Sequence, residues 1–223
     1  MKNIKSIALI AAIIMVAGVG CSKVAEQKQE ERSAFADDVV KVGVLFPFEG
    51  EKAVLADEAR RGIGMVLAEL GRSNIQLVYA NGGCNAETAA AATARLLEDK
   101  MVKAIIGGLC DEETYAAAPL AQAAGIVLIT PATRTFNAPH GDFIFQTSPS
   151  EQGVERKATR EFVAAHKDLY DTAPSQYAAE SYDAMKAISE ALQQDMPLKD
   201  ALYEVSFEGA AGPVDFDANG EVK

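Results

Sequence analysis

The sequence predicts an α/β fold, a doubly wound parallel sheet flanked by helices. Short apolar runs recur at Leu77–Tyr79, Ala104–Ile106 and Ile126–Ile129. Between them lie two Ala-rich segments with helical spacing, and that alternation reads as βαβ units. The runs do not alternate with polar residues, as expected of parallel strands buried on both faces. Each run ends in a turn of small residues: Gly82-Gly83-Cys84, Gly107-Gly108-Leu109-Cys110 and Thr130-Pro131-Ala132-Thr133. In an open parallel sheet such turns lie at the carboxyl ends of the strands, where ligands bind.

Taken in order, Val39–Phe46 reads as the first strand and Pro47-Phe48-Glu49-Gly50 as its outgoing loop. A helix follows from Ala56 to Gly71, with Ala59, Ile63, Val66, Leu67 and Leu70 on one face and Gly71 as its stop. Asn85 is placed to cap the next helix, which runs to about Lys100 with Ala90, Ala94, Leu97 and Met101 inward. Asp111 is the expected cap of a third helix starting near Glu112, and Pro119 predicts a kink or break within it. Phe143–Gln146 reads as a fifth strand. Beyond it the chain reads helical over Glu151–Asp168 and Gln176–Gln194, the latter with Tyr182, Met185, Ile188 and Leu192 on one face. Leu198–Tyr203 reads as a short helix, and Val205–Phe207 with Pro213–Phe216 as a hairpin.

The amino terminus has the composition of an export signal. Lys2 and Lys5 precede an apolar run from Ile7 to Val19 that is short for a membrane span. Gly18, Val19 and Gly20 before Cys21 look like a bacterial lipobox, which makes 1–20 a signal peptide and Cys21 a lipid-modified first residue. The other reading is an ordinary signal peptide with Cys21 just inside it. Residues 22–38 are charged and carry no apolar period, so 21–38 reads as a lipidated Cys and flexible tether. The chain is then expected at a membrane surface, on the periplasmic face or the cell surface. In an exported chain the remaining cysteines, Cys84 and Cys110, either pair or lie as two buried free thiols. A bond closing that 26-residue span would stabilise by roughly 3.5 kcal/mol on the chain-entropy model. Two Cys without a nearby His supply too few ligands for a metal, so no metal and no cofactor is expected.

The 223 residues suffice for one domain with a real core, and a hydrophobic share of 49% with 24% charged residues is ordinary for a soluble fold. A net charge of −11 without basic patches argues against a nucleic-acid partner. No G-x-S-x-G elbow, P-loop or G-x-G-x-x-G turn is present. The two histidines, His140 and His166, stand far apart in polar contexts. A catalytic role has little support; a hydrolase-like enzyme is a third, weaker reading, and the missing elbow argues against it. Asp215-Phe-Asp217-Ala-Asn219-Gly220 matches the start of a calcium loop, but the closing Glu would fall beyond Lys223. A hairpin turn at Asn219-Gly220 is the better reading.

The Cys84 and Gly107-Gly108-Leu109-Cys110 pair, the Ala116-Ala117-Ala118-Pro119-Leu120 helix with Gly125-Ile126, and Ile129-Thr130-Pro131-Ala132-Thr133 together resemble one family. It is the leucine/isoleucine/valine-binding family of type I periplasmic solute-binding proteins. The resemblance covers 39–153 as the family's first lobe and 159–223 as the segment that returns to it. It leaves no stretch for the second lobe, so 39–223 is expected as a single lobe. It implies a solute-binding component of an ABC importer, with a permease partner and a small amino-acid-like ligand. It places the ligand's α-amino and α-carboxylate groups at Asp111 and Glu112, then at Ala132, Thr133 and Arg134. This chain departs from the pattern at Asp111-Glu112-Glu113, where relatives commonly begin with a small hydroxyl residue. Three acids would repel a carboxylate and suit an ammonium; alternatively they only satisfy the helix dipole. Phe48 either offers an apolar wall to a ligand side chain or packs on its own loop. The other function carried forward is a single-lobe lipoprotein whose open face meets a protein partner or a second subunit, as a homo- or hetero-oligomer.

Overall fold

The computed structural model describes residues 39–71, 74–131, 142–148 and 156–223. The expected signal peptide, Cys21 and the tether lie outside these residues, as do Ala132, Thr133, Arg134 and His140. Five parallel strands form the sheet: β1 (Val40–Phe46), β2 (Ile75–Asn81), β3 (Val102–Gly107), β4 (Val127–Thr130) and β5 (Ile144–Gln146). Their order is β2-β1-β3-β4-β5. The winding therefore reverses between β1 and β3, the switch point of a doubly wound sheet.

Side chains on each strand divide between two cores. Val42, Val44, Phe46, Ala104, Ile106, Val127, Ile129 and Phe145 face one cluster, while Leu45, Ile105, Leu128 and Ile144 face the other. The first cluster is covered by α1 (Ala53–Leu70), α5 (Gln176–Ala191) and α6 (Leu198–Tyr203); the second by α2 (Ala86–Glu98) and α3 (Asp111–Ala124). Both faces of β4 and β5, and of β1 and β3 past their first two residues, are thus dry, which accounts for their apolar runs, whereas edge strand β2 leaves Gln76 and Tyr79 exposed. Helix α4 (Arg160–Tyr170) adds Phe162 to a third cluster with Met65, Ala178 and Ala179. A hairpin, β6 (Ser206–Glu208) with β7 (Pro213–Asp215), follows α6.

Local signals placed most elements. Gly71 ends α1 in a left-handed conformation, its N–H returning to the carbonyls of Leu67 and Ala68. Asn85 caps α2 by accepting the Thr88 N–H at 3.0 Å. The Asp217–Gly220 turn is also present: Gly220 N–H donates to the Asp217 carbonyl, and Phe216 pairs with Val222 beyond it.

Several expectations fail. Helix α2 buries Ala89, Ala92, Thr93 and Leu96, whereas Ala94 and Met101 are exposed. In an Ala-rich helix every face is equally apolar, so periodicity cannot fix the buried one. Leu70 is likewise exposed, because α1 turns Gly62 and Met65 inward. Helix α3 runs through Pro119 without interruption, and its N-cap is Cys110, with Asp111 already the first helical residue. Residues 156–159 are not helical, and α4 begins only after Thr159, whose hydroxyl accepts the Phe162 N–H.

A buried ion pair, missed by periodicity, fixes the returning segment. The Arg156 guanidinium meets Asp183 of α5 at 3.1 Å, both buried. It also donates to the carbonyls of Thr147, Ala211, Gly212 and Pro213. Asp183 in turn accepts the N–H groups of Ala210 and Ala211. Burial pushes the Asp183 carboxyl up to about 6, against the Arg156 charge and both amides, which pull it down. Removing one partner leaves the other charge buried alone. Asp183→Asn is expected to cost roughly 3–5 kcal/mol in urea unfolding.

Two helix glycines two positions apart can be told apart. Gly62 lies against the Ala178 backbone of α5, where a Cβ would collide with the carbonyl. Gly64 meets only the Tyr170 hydroxyl, at 3.8 Å. Gly62→Ala should destabilise by about 1–3 kcal/mol through overpacking. Gly64→Ala should stabilise by roughly 0.5–1 kcal/mol, the usual gain inside a helix. Equal effects in thermal unfolding would contradict this packing.

Candidate functional site

The carboxyl edge at the β1/β3 switch is built from main-chain turns pinned by a few buried side chains. The loop after β1 is held by the turn after β2: Gly82 N–H donates to the Phe46 carbonyl at 2.9 Å, and Phe48 N–H to Asn81 Oδ1 at 3.0 Å. The Phe48 ring packs edge-on against Tyr79 at 5.5 Å and lies 6.0 Å from Phe46. It is half-buried, held against aromatic residues of β1 and β2.

Glu113 is the residue that the sequence reading misplaced. The sequence groups it with Asp111 and Glu112 as one acidic helix start, but it is fully buried, whereas Glu112 is exposed and Asp111 partly so. Its carboxylate accepts the Cys84 N–H at 3.0 Å, the Leu109 N–H at 2.9 Å and the Cys110 N–H. Cys110 is the N-cap of α3 and Glu113 the third helical residue, so this is the back-reaching half of a capping box. The spacing Cys110-x-x-Glu113 was a legible signal for it. Only Asp111 and Glu112 therefore turn their charge outward at this helix start.

Cys84 and Cys110 are bonded, with Cα atoms 5.3 Å apart. They do not follow neighbouring strands: β2 and β3 flank β1 on opposite sides. The disulfide thus links the turn after β2 to the start of α3 across the end of β1. Gly82 and Gly108 make room for Glu113, since a Cβ on either would strike its side chain. Next to it, Thr130 of β4 donates to the Gly108 carbonyl at 3.1 Å and lies 3.3 Å from the Thr114 hydroxyl, which accepts the Gly108 N–H. These two threonines were also missed; both are fully buried.

His166 is not in a polar context. It is fully buried between Phe162 and Tyr170, with Nδ1 on the Thr172 carbonyl. It lies in α4, away from the loops of this edge.

A sheet wound 2-1-3-4-5 with a crosslinked switch-point edge defines the class: one lobe of the type I periplasmic-binding fold. A family model described as periplasmic binding protein matches residues 39–154. The chain belongs to that family. An "Amino acid binding protein" of Pseudomonas aeruginosa is 30% identical over 104 residues, covering 44% of this chain and 27% of that protein. The chain thus spans about a quarter of the length of the curated relative it matches. Among solved structures, the branched-chain amino acid transporter substrate binding protein LivJ of Streptococcus pneumoniae, in complex with isoleucine, superposes with a TM-score of 0.73. It is 14% identical, with 83% of this chain and 94% of that one covered. An ABC-transporter solute binding protein of R. palustris in complex with benzoate gives 0.72 at 14% identity, covering 82% and 90%.

Burial outweighs the three amides and raises the Glu113 pKa above its ordinary 4.5. The folded chain then holds this proton more readily than the unfolded chain does. Its contribution to stability is full below the unfolded value and declines as pH rises through the folded one. The stability of the native chain relative to Glu113→Gln should therefore fall with pH from about 4.5 upward and level off above the raised value, in urea titrations at a series of pH values.

Proposed function

We propose that the chain is a solute-binding component of an ABC importer, taking a small amino-acid-like ligand of the branched-chain type. The observation that carries this reading is the carboxyl edge itself. Its turns are pre-set by Glu113 and the disulfide, so little ordering is left for a ligand to impose. Asp111 and Glu112, at the outward start of α3, face the ligand ammonium. Ala132, Thr133 and Arg134, in the segment after β4, receive its carboxylate, and Phe48 receives its apolar side chain. The relatives support this: one is named an amino acid binding protein and another holds isoleucine.

Residues 39–223 act in this proposal as one lobe, assembled from 39–153 and 159–223. Such a lobe contacts less of a ligand than two would, so affinity is expected to be modest. The chain is exported to the periplasmic face or cell surface and anchored through lipidated Cys21, where it meets its permease.

The test is a thermal-shift screen with leucine, isoleucine, valine and benzoate at millimolar concentration. At a hundredfold excess over Kd a ligand stabilises by about 2.7 kcal/mol. For a chain of this size that is roughly 5–10 °C in Tm. Amino acids should raise Tm, and a paired Asp111→Asn and Glu112→Gln variant should reduce that rise. Benzoate lacks the ammonium, so a larger shift with benzoate than with leucine would reject the assigned roles of the two acids. No shift with any of the four would reject the reading.

A further inference from the structure

The disulfide lies against a buried carboxylate held by backbone amides. Glu113 is fully buried, and among the described residues no Lys, Arg or His pairs with it; the charged group felt most closely is Glu112, of the same sign. One carboxylate oxygen and both cysteine sulfurs lie within 4.8 Å of one another. We propose that Cys84, Cys110 and Glu113 bind a thiophilic divalent ion of the zinc class when the bridge is reduced.

Reduction and binding balance as follows. A dithiol reductant gives two electrons to the S–S bond and is itself oxidised to a disulfide. The two sulfurs take up two protons and become thiols. The metal then displaces both protons, leaving two thiolates and one carboxylate on the ion. Tetrahedral zinc with Zn–S near 2.3 Å needs sulfurs about 3.8 Å apart. Cα atoms at 5.3 Å hold the side chains within that reach. Cys110 caps the positive end of α3, where a thiolate is favoured. A carboxylate offers about four acceptor positions, and three amides leave room for one more bond. Both cysteines are partly exposed, so reductant and ion reach them, and a fourth coordination position stays open to water or a ligand. In the oxidised chain the sulfurs are bonded to each other and the site does not exist. This inference does not depend on the solute-binding reading.

The experiment uses the full chain, reduced with an excess of dithiol, desalted without air and titrated with cobalt(II). One cobalt per chain should bind with a thiolate-to-metal charge-transfer absorption that the oxidised chain lacks and that zinc abolishes. Cys84→Ser and Cys110→Ser should each lose the band, and Cys21→Ser should keep it. Glu113→Gln retains both thiols but should weaken binding by more than the roughly 10–100-fold that loss of an outer partner costs. Reduced native chain without the band overturns the proposal whatever the variants do. So does a folded Glu113→Gln chain that binds as tightly as the native one. Should that variant fail to fold, Glu113→Asp, which keeps the charge on a shorter arm, must show the weakening instead.

Discussion

Three main-chain amides, from Cys84, Leu109 and Cys110, converge on one carboxylate at the end of β1. Glu113 thereby fixes two turns whose strands do not touch, and the disulfide repeats that tie covalently. The glycines at 82 and 108 follow from this, because the side chain fills the space a Cβ would need. So does the shape of the edge: with Glu113 turned inward, the outward charge at α3 reduces to Asp111 and Glu112. An edge that will meet a ligand is stiffened from beneath by a group that never faces it.

The rest of the sheet serves the same end. Alternate residues of each strand enter opposite cores, so the strands cannot slip by one without exchanging the two. On the face covered by α1 and α5, close approach at Gly62 sets the helix spacing. Arg156 then gathers Thr147, Asp183 and Ala211 to Pro213 onto a single guanidinium. A buried ion pair is a poor source of net stability, but it fixes one arrangement of the segments it joins.

Strands, caps and stops were legible because their signals are local. An apolar run, Asn85 before Ala86 and Gly71 after Leu70 each determine structure within a few residues. The fold class followed from their alternation. The inward face of α2 was hidden by alanine, which marks no side. Helix α4 starts later than the sequence predicts because Gly153 alone is a weak break and Val154 to Ala158 carries none by composition. At the site, Phe48 and the cysteine pair could be found by residue type, and the Cys110-x-x-Glu113 spacing marks the local half of the Glu113 contacts, whereas its bond to the Cys84 amide, twenty-nine residues earlier in the chain, leaves no local trace. The Arg156–Asp183 pair spans twenty-seven residues and leaves no periodic trace.

The sheet is finished by a part of the chain distant from it in sequence. Gln146 N–H donates to the Gly220 carbonyl and Val222 N–H to the Gln146 carbonyl, a pairing across about 75 residues. Until residues 220–222 arrive, β5 presents an unsealed margin of free amides and carbonyls, the kind of surface on which chains recruit one another. Closing so long a loop is also entropically late. A nascent or partly unfolded form of this domain therefore exposes β5 to intermolecular pairing, while the completed fold covers Gln146 with residues 220–222.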